Sequence, residues 1–127
     1  MNPTKVLIVD DDAFLLDMYA LKFKESGFQV EIAKDGQEAC DKIKSVNPGV
    51  ILLDIVMPKI DGFDVLRKIK QDNIAPNAVI LLLTNLGQKE DVERGLKLGA
   101  DDYIVKAHFT PSEVVAKVKS LLEKKPA

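Results

Sequence analysis

The chain has 127 residues, 46% of them apolar and 30% charged, and a formal net charge of -2 from 18 Lys and Arg against 20 Asp and Glu. A chain of this length buries about two-thirds of its surface, enough for one ordinary core, and no apolar run approaches the ~20 residues of a membrane span. The balance leaves no basic excess to neutralise nucleic-acid phosphates, and the single cysteine, Cys40, cannot close an internal disulfide. The opening residues Met1-Asn2-Pro3-Thr4 lack the charged and apolar regions of a signal peptide, so the expected compartment is the cytoplasm, with no membrane and no direct nucleic-acid binding by this domain.

Lys5-Val6-Leu7-Ile8-Val9 is a short β-branched run stopped by charge, the pattern of a strand buried on both faces. From Ala13 to Ser26 the period changes: Phe14, Met18 and Leu21 recur at i, i+4 and i+7, and Gly27 supplies a stop, which predicts a helix with those residues, Met18 included, toward the core. The alternation repeats with a strand over Phe28 to Ala33, a helix over Gln37 to Val46 ended by Asn47-Pro48, and a strand over Val50 to Asp54. A helix over Phe63 to Gln71, a strand over Ala78 to Thr84, a helix over Lys89 to Leu98 ended by Gly99 and a strand over Asp102 to Lys106 follow. Thr110-Pro111-Ser112-Glu113 joins a capping box to a proline at the first helical position and opens a last helix reaching about Lys124. Five strand-helix pairs demand a parallel sheet with helices on both faces, read here as the flavodoxin-like (βα)5 sandwich of strand order 2-1-3-4-5. Residues 1–125 are read as one domain and 126–127 as a tail.

In such a sheet the ligand site lies beyond the carboxyl ends of the strands. The first strand ends in Asp10-Asp11-Asp12, the third in Asp54, the fourth in Thr84 and the fifth in Lys106. Carboxylates crowded at the rim of a buried sheet either raise their pKa values or bind a cation, and oxygen ligands without His or Cys select a hard ion, Mg²⁺ first and Mn²⁺ as the other candidate. Beside such an ion one carboxylate can attack phosphorus while Lys106 and the Thr84 hydroxyl neutralise and orient phosphoryl oxygens. Asp54 directly follows Val50-Ile51-Leu52-Leu53 and needs a partner once buried, whereas Asp12 suits a helix cap. Cys40 reads as a small buried hydrophobe, Met57 as loop packing, His108 as a loop residue, and Asp61-Gly62 as a helix start.

Taken together, Val9-Asp10-Asp11-Asp12, Leu53-Asp54-Ile55-Val56-Met57-Pro58-Lys59-Ile60-Asp61-Gly62, Leu83-Thr84 and Gly99-Ala100-Asp101-Asp102-Tyr103-Ile104-Val105-Lys106 resemble the receiver domains of two-component response regulators over essentially the whole chain. The resemblance implies Asp54 as phosphoacceptor, Asp11 as a direct Mg²⁺ ligand, Asp10 as a ligand through water and the Val56 backbone carbonyl as a further ligand. It implies that Lys106 pairs with the phosphoryl group and that Thr84 and Tyr103 form a switch. A sensor histidine kinase or phosphotransfer protein would be the donor, and the domain would catalyse only its own phosphorylation and dephosphorylation. Phosphorylation should reorganise the surface of the fourth helix, fifth strand and fifth helix, which would meet a downstream protein or a second receiver.

Two departures stand out. Ala107 follows Lys106 where the family has a proline after a cis bond, and since a non-proline cis bond costs about 2.5–4 kcal/mol, a trans bond is expected, which could shift the Lys106 side chain. Asn85 is bulkier than the family's small residue after Thr84, and with Val56 and Leu86 it flanks the approach of a hydrolytic water, so these three residues are expected to lengthen the phosphorylated lifetime. Three rival readings are an aspartate-nucleophile phosphatase, a receiver used only for protein interaction, and a flavin carrier. The phosphatase would need an Asp where Val56 stands, and a flavin phosphate would be repelled by Asp10-Asp11-Asp12.

Overall fold

The computed structural model describes residues 3–57, 59–84 and 89–124. Its elements in chain order are β1 (Lys5–Val9), α1 (Ala13–Glu25), β2 (Gln29–Ala33), α2 (Gly36–Val46), β3 (Val50–Asp54), α3 (Gly62–Gln71), β4 (Val79–Thr84), α4 (Lys89–Lys97), β5 (Asp102–Val105) and α5 (Pro111–Lys124). The strands pair in parallel in the order β2-β1-β3-β4-β5, as the alternation of the sequence predicts. Predicted ends differ by a residue or so, with Phe28 and Ala78 outside the strands and Lys106 opening a short 3₁₀ turn, Lys106–His108, instead of closing β5. The 126–127 tail lies outside the described residues.

Two layers of core follow from the period-2 alternation of side chains along buried strands. Leu7, Val9, Ile51, Leu53, Ile80 and Leu82 face α2 and α3. Their neighbours Val6, Ile8, Leu52, Leu81, Leu83 and Ile104 face α1 and α5. Cys40 and Met57 are buried, as predicted. The predicted inner face of α1 is not the observed one: Leu16, Tyr19 and Phe23 are buried, while Phe14, Met18 and Leu21 are exposed. Apolar residues run nearly all round this helix, so its spacing offers two stripes, and the sheet takes the one carrying the larger aromatic area.

The caps are those the sequence encodes. Asp12 accepts hydrogen bonds from the Phe14 and Leu15 amides, Asp61 and Asp64 form a capping box at α3, and Thr110 and Glu113 form one at α5. At the β2 edge the Lys42 ammonium donates to the Ile32 carbonyl. No helix of the described residues is long and apolar enough to cross a membrane.

Candidate functional site

Because all five strands run parallel, Asp10 just past β1, Asp54 at the end of β3 and Lys106 just past β5 meet at one edge of the sheet. Asp10 is fully buried, and its Oδ1 accepts the Asp12 amide at 2.9 Å. Asp54 is 3% exposed, and its Oδ1 accepts the Val56 amide at 3.2 Å. Both aspartates thus fix one oxygen by a local turn two residues ahead and turn the other inward. Into that space reaches Lys106, whose Nζ lies 2.8 Å from Asp10 Oδ2 and 3.2 Å from Asp54 Oδ2. No peptide among the described residues is cis, so the Lys106–Ala107 bond departs from the family pattern, yet the lysine reaches both carboxylates. The resemblance gave Lys106 a phosphoryl partner only; its bridge between two aspartates depends on side-chain packing that spacing does not encode.

The electrostatics follow from this burial. Burial first, then the Asp10 charge, pushes the Asp54 carboxyl up to about 7 against the opposing pull of Lys106 and the Val56 amide. For Lys106, burial would lower the ammonium's pKa, but the Asp10 hydrogen bond and the charges of Asp54 and Asp10 outweigh it and raise the value. The exposed Asp11 completes a group in which Asp10, Asp11 and Asp54 each offer an oxygen within 4.8 Å of the others. One observation tests whether a cation suits them: Asp10 Oδ2 is buried and meets the Lys106 ammonium at 2.8 Å, with no other donor on it among the described residues. A buried anionic oxygen met by a single ammonium, among all-oxygen donors, fits Mg²⁺.

Thr84 is buried at the end of β4, and Tyr103 on β5 is 40% exposed. Register pairs Leu82 with Tyr103 and Thr84 with Val105, so Thr84 and Tyr103 are diagonal neighbours on one face of the sheet. Val56 stands exposed two residues past Asp54, whereas Asn85 and Leu86 fall outside the described residues. His108 is exposed in its turn. Sequence reasoning missed Tyr19, a buried phenol whose acidity is weakened chiefly by burial and which feels the charges of Lys106, Asp10 and Asp54. The signal available for it was the second stripe of α1, Leu16-Tyr19-Phe23.

Known proteins resemble this chain both in sequence and in shape. Over 120 residues the chain is 42% identical to a probable transcriptional regulator, ycf27, of Guillardia theta, covering 94% of this chain and 46% of that protein. It is 38% identical, over 94% of its own length and 49% of the other, to the alkaline phosphatase synthesis transcriptional regulatory protein PhoP of Bacillus subtilis. The chain therefore spans about half the length of these relatives. Its structure is similar to the Francisella response regulator 1452 receiver domain, with a TM-score of 0.86 and 35% identity over 97% of this chain and 99% of that one. The response regulator receiver domain family matches residues 6–119, and with fold and sequence in agreement, the chain belongs to that family.

Proposed function

We propose that this receiver domain accepts a phosphoryl group on Asp54 and uses the resulting change of charge to switch its α4-β5-α5 surface. The observation that carries the reading is the Lys106 ammonium held between the inward oxygens of Asp10 and Asp54. Such a cation stands ready to meet the oxygens of an arriving phosphoryl group. Asp10, Asp11, Asp54 and the Val56 carbonyl would hold Mg²⁺, with Asp10 acting through water, and the ion would supply charge neutralisation at the phosphoryl oxygens. An Asp54 carboxylate oxygen bonds to phosphorus as the P–N bond of a donor phosphohistidine breaks, and the electron pair leaves with the imidazole. Lys106 then pairs with the phosphoryl group, and the Thr84 hydroxyl orients toward it. The vacated space admits the Tyr103 ring, whose position on the same face makes the exchange geometrically direct.

A sensor histidine kinase or phosphotransfer protein serves as donor in this reading. Phe14 at 71%, Leu21 at 61% and Val56 at 56% exposure, with Met18 between, give a protein donor an apolar surface on α1 and beside Asp54. The switched face meets a downstream protein or a second receiver, and the domain turns over no separate substrate. Residues 1–125 act as one unit in the cytoplasm, without nucleic-acid contacts of their own.

Incubation with a small-molecule phosphodonor and Mg²⁺, followed by intact mass, tests the assignment. The parent gains one phosphoryl group and Asp54→Asn gains none. A mass gain that persists in the Asn variant would move the acceptor elsewhere.

A further inference from the structure

The helix that must move in this reading is held by an unusual contact. Arg94 on α4 places its guanidinium carbon 4.3 Å from the centroid of the Phe63 ring on α3. Asp91 and Glu90 lie one turn earlier on the same helix, yet among the described residues Arg94 makes no ion pair with a carboxylate, and the guanidinium lies on the ring instead. Phe63 is 4% exposed, so the ring is a fixed plate and the arginine is the movable part.

The plate is fixed to the phosphoacceptor strand. Gly62, immediately before Phe63, donates its amide to the Ile55 carbonyl at 2.9 Å, and a Cβ at Gly62 would stand 2.4 Å from the Asp54 carbonyl oxygen. The first turn of α3 therefore rides directly on the Asp54-Ile55 backbone. On the other side, a Cβ at Gly95 would lie 2.1 Å from Leu82 Cδ1 and 3.7 Å from Phe63, so α4 presses its bare backbone onto β4 at the same spot. Only Val92 and Gly95 of α4 are buried. A helix so shallowly seated depends disproportionately on one additional contact.

We infer that Arg94 is a positioning residue: its stacking on Phe63 latches α4 to the Asp54-bearing unit and holds the α4-β5-α5 face in its resting arrangement. Any slide of α4 along β4 must lift Gly95 off Leu82 and draw the guanidinium off the ring. The inference rests on the proposed switching role only for its consequence in signalling; the latch itself is a property of the unphosphorylated chain.

Amide hydrogen exchange on the full chain tests it. A cation over a ring at an exposed site shifts an equilibrium by roughly two- to fivefold, so Arg94→Ala should speed α4 exchange by that factor while β1 and β3 amides stay unchanged. Alanine is the better helix former, so faster exchange cannot come from helix propensity. Phe63→Leu keeps apolar bulk and removes the ring; it should loosen α4 alike, and Arg94→Ala added to it should change nothing more. Phosphorylation by a small-molecule donor should accelerate in Arg94→Ala by the same factor. Unchanged α4 exchange in Arg94→Ala, or an equal effect of that change in the Phe63→Leu background, would overturn the latch. A parent that takes up no phosphoryl group at all would instead overturn the phosphorylation reading and leave the exchange data to decide the latch.

Discussion

The Asp54 carboxyl keeps its proton up to about pH 7, because burial and the Asp10 charge outweigh Lys106 and the Val56 amide. In the unfolded chain the same group ionises near its ordinary value of 3.8, so between these two pH values the folded state carries a proton the unfolded state lacks. Stability therefore falls as pH rises through that window, by an amount on the order of a few kcal/mol. Asp54→Asn has no such proton. In metal-free buffer its melting temperature should match the parent near pH 4 and exceed it at pH 7; parallel curves would remove the argument. The proposed lifetime of the phosphorylated form also belongs at this scale. Neither the Val56 nor the Leu86 side chain can hydrogen-bond a hydrolytic water. Val56→Asn combined with Leu86→Glu should speed decay of the acyl phosphate by up to ~10²-fold, read by mass over time, and an unchanged lifetime would release both residues from that role. Asp10, Asp54 and Lys106 were legible from their places after apolar runs. The Lys106 bridge and the nearness of Tyr19 were not, since both depend on how side chains fold over one another in three dimensions.

Among the elements, α1 shows where periodicity stops deciding. Phe14, Met18 and Leu21 satisfy the helical spacing as well as Leu16, Tyr19 and Phe23 do, and only contact with the sheet separates them. β1, β3 and β4 left no such choice, because both of their faces are buried. The outward stripe carries its own expectation. Phe14→Ser with Leu21→Ser should change stability by no more than ~0.5 kcal/mol per site, as exposed positions do. Transfer from a phosphohistidine protein should slow, whereas phosphorylation by a small-molecule donor should not. Equal slowing of both would place the residues in the chemistry, and slowing of neither would leave the stripe without a donor. The caps at Asp12, Asp61 and Thr110 were readable because a cap is a local hydrogen bond between neighbours in sequence.

At the scale of the molecule, one sheet divides two cores, and the adjacent residues Leu52 and Leu53 belong to opposite ones. Leu52→Ala and Leu53→Ala should each cost roughly 2–5 kcal/mol, with the same urea dependence, since neither core stands without the shared sheet. A broadened or two-step transition in either variant would show that the layers unfold apart. The topology itself was legible because five apolar runs alternating with helices leave parallel winding as the simplest arrangement. The open margin of that sheet has a further effect. Gln29 donates to Thr4 and Ala33 accepts from Asp10, so the alternate residues Val30 and Ile32 aim their peptide groups away from β1. A bare margin of this kind recruits foreign extended chains and seeds aggregation. Lys42 occupies the Ile32 carbonyl and sets a charge at that margin, flanked by Glu31 and Glu38. Lys42→Val should thus leave the monomer folded but make its light scattering climb with concentration, which ties the solubility of the domain to one ammonium group at the edge of its sheet.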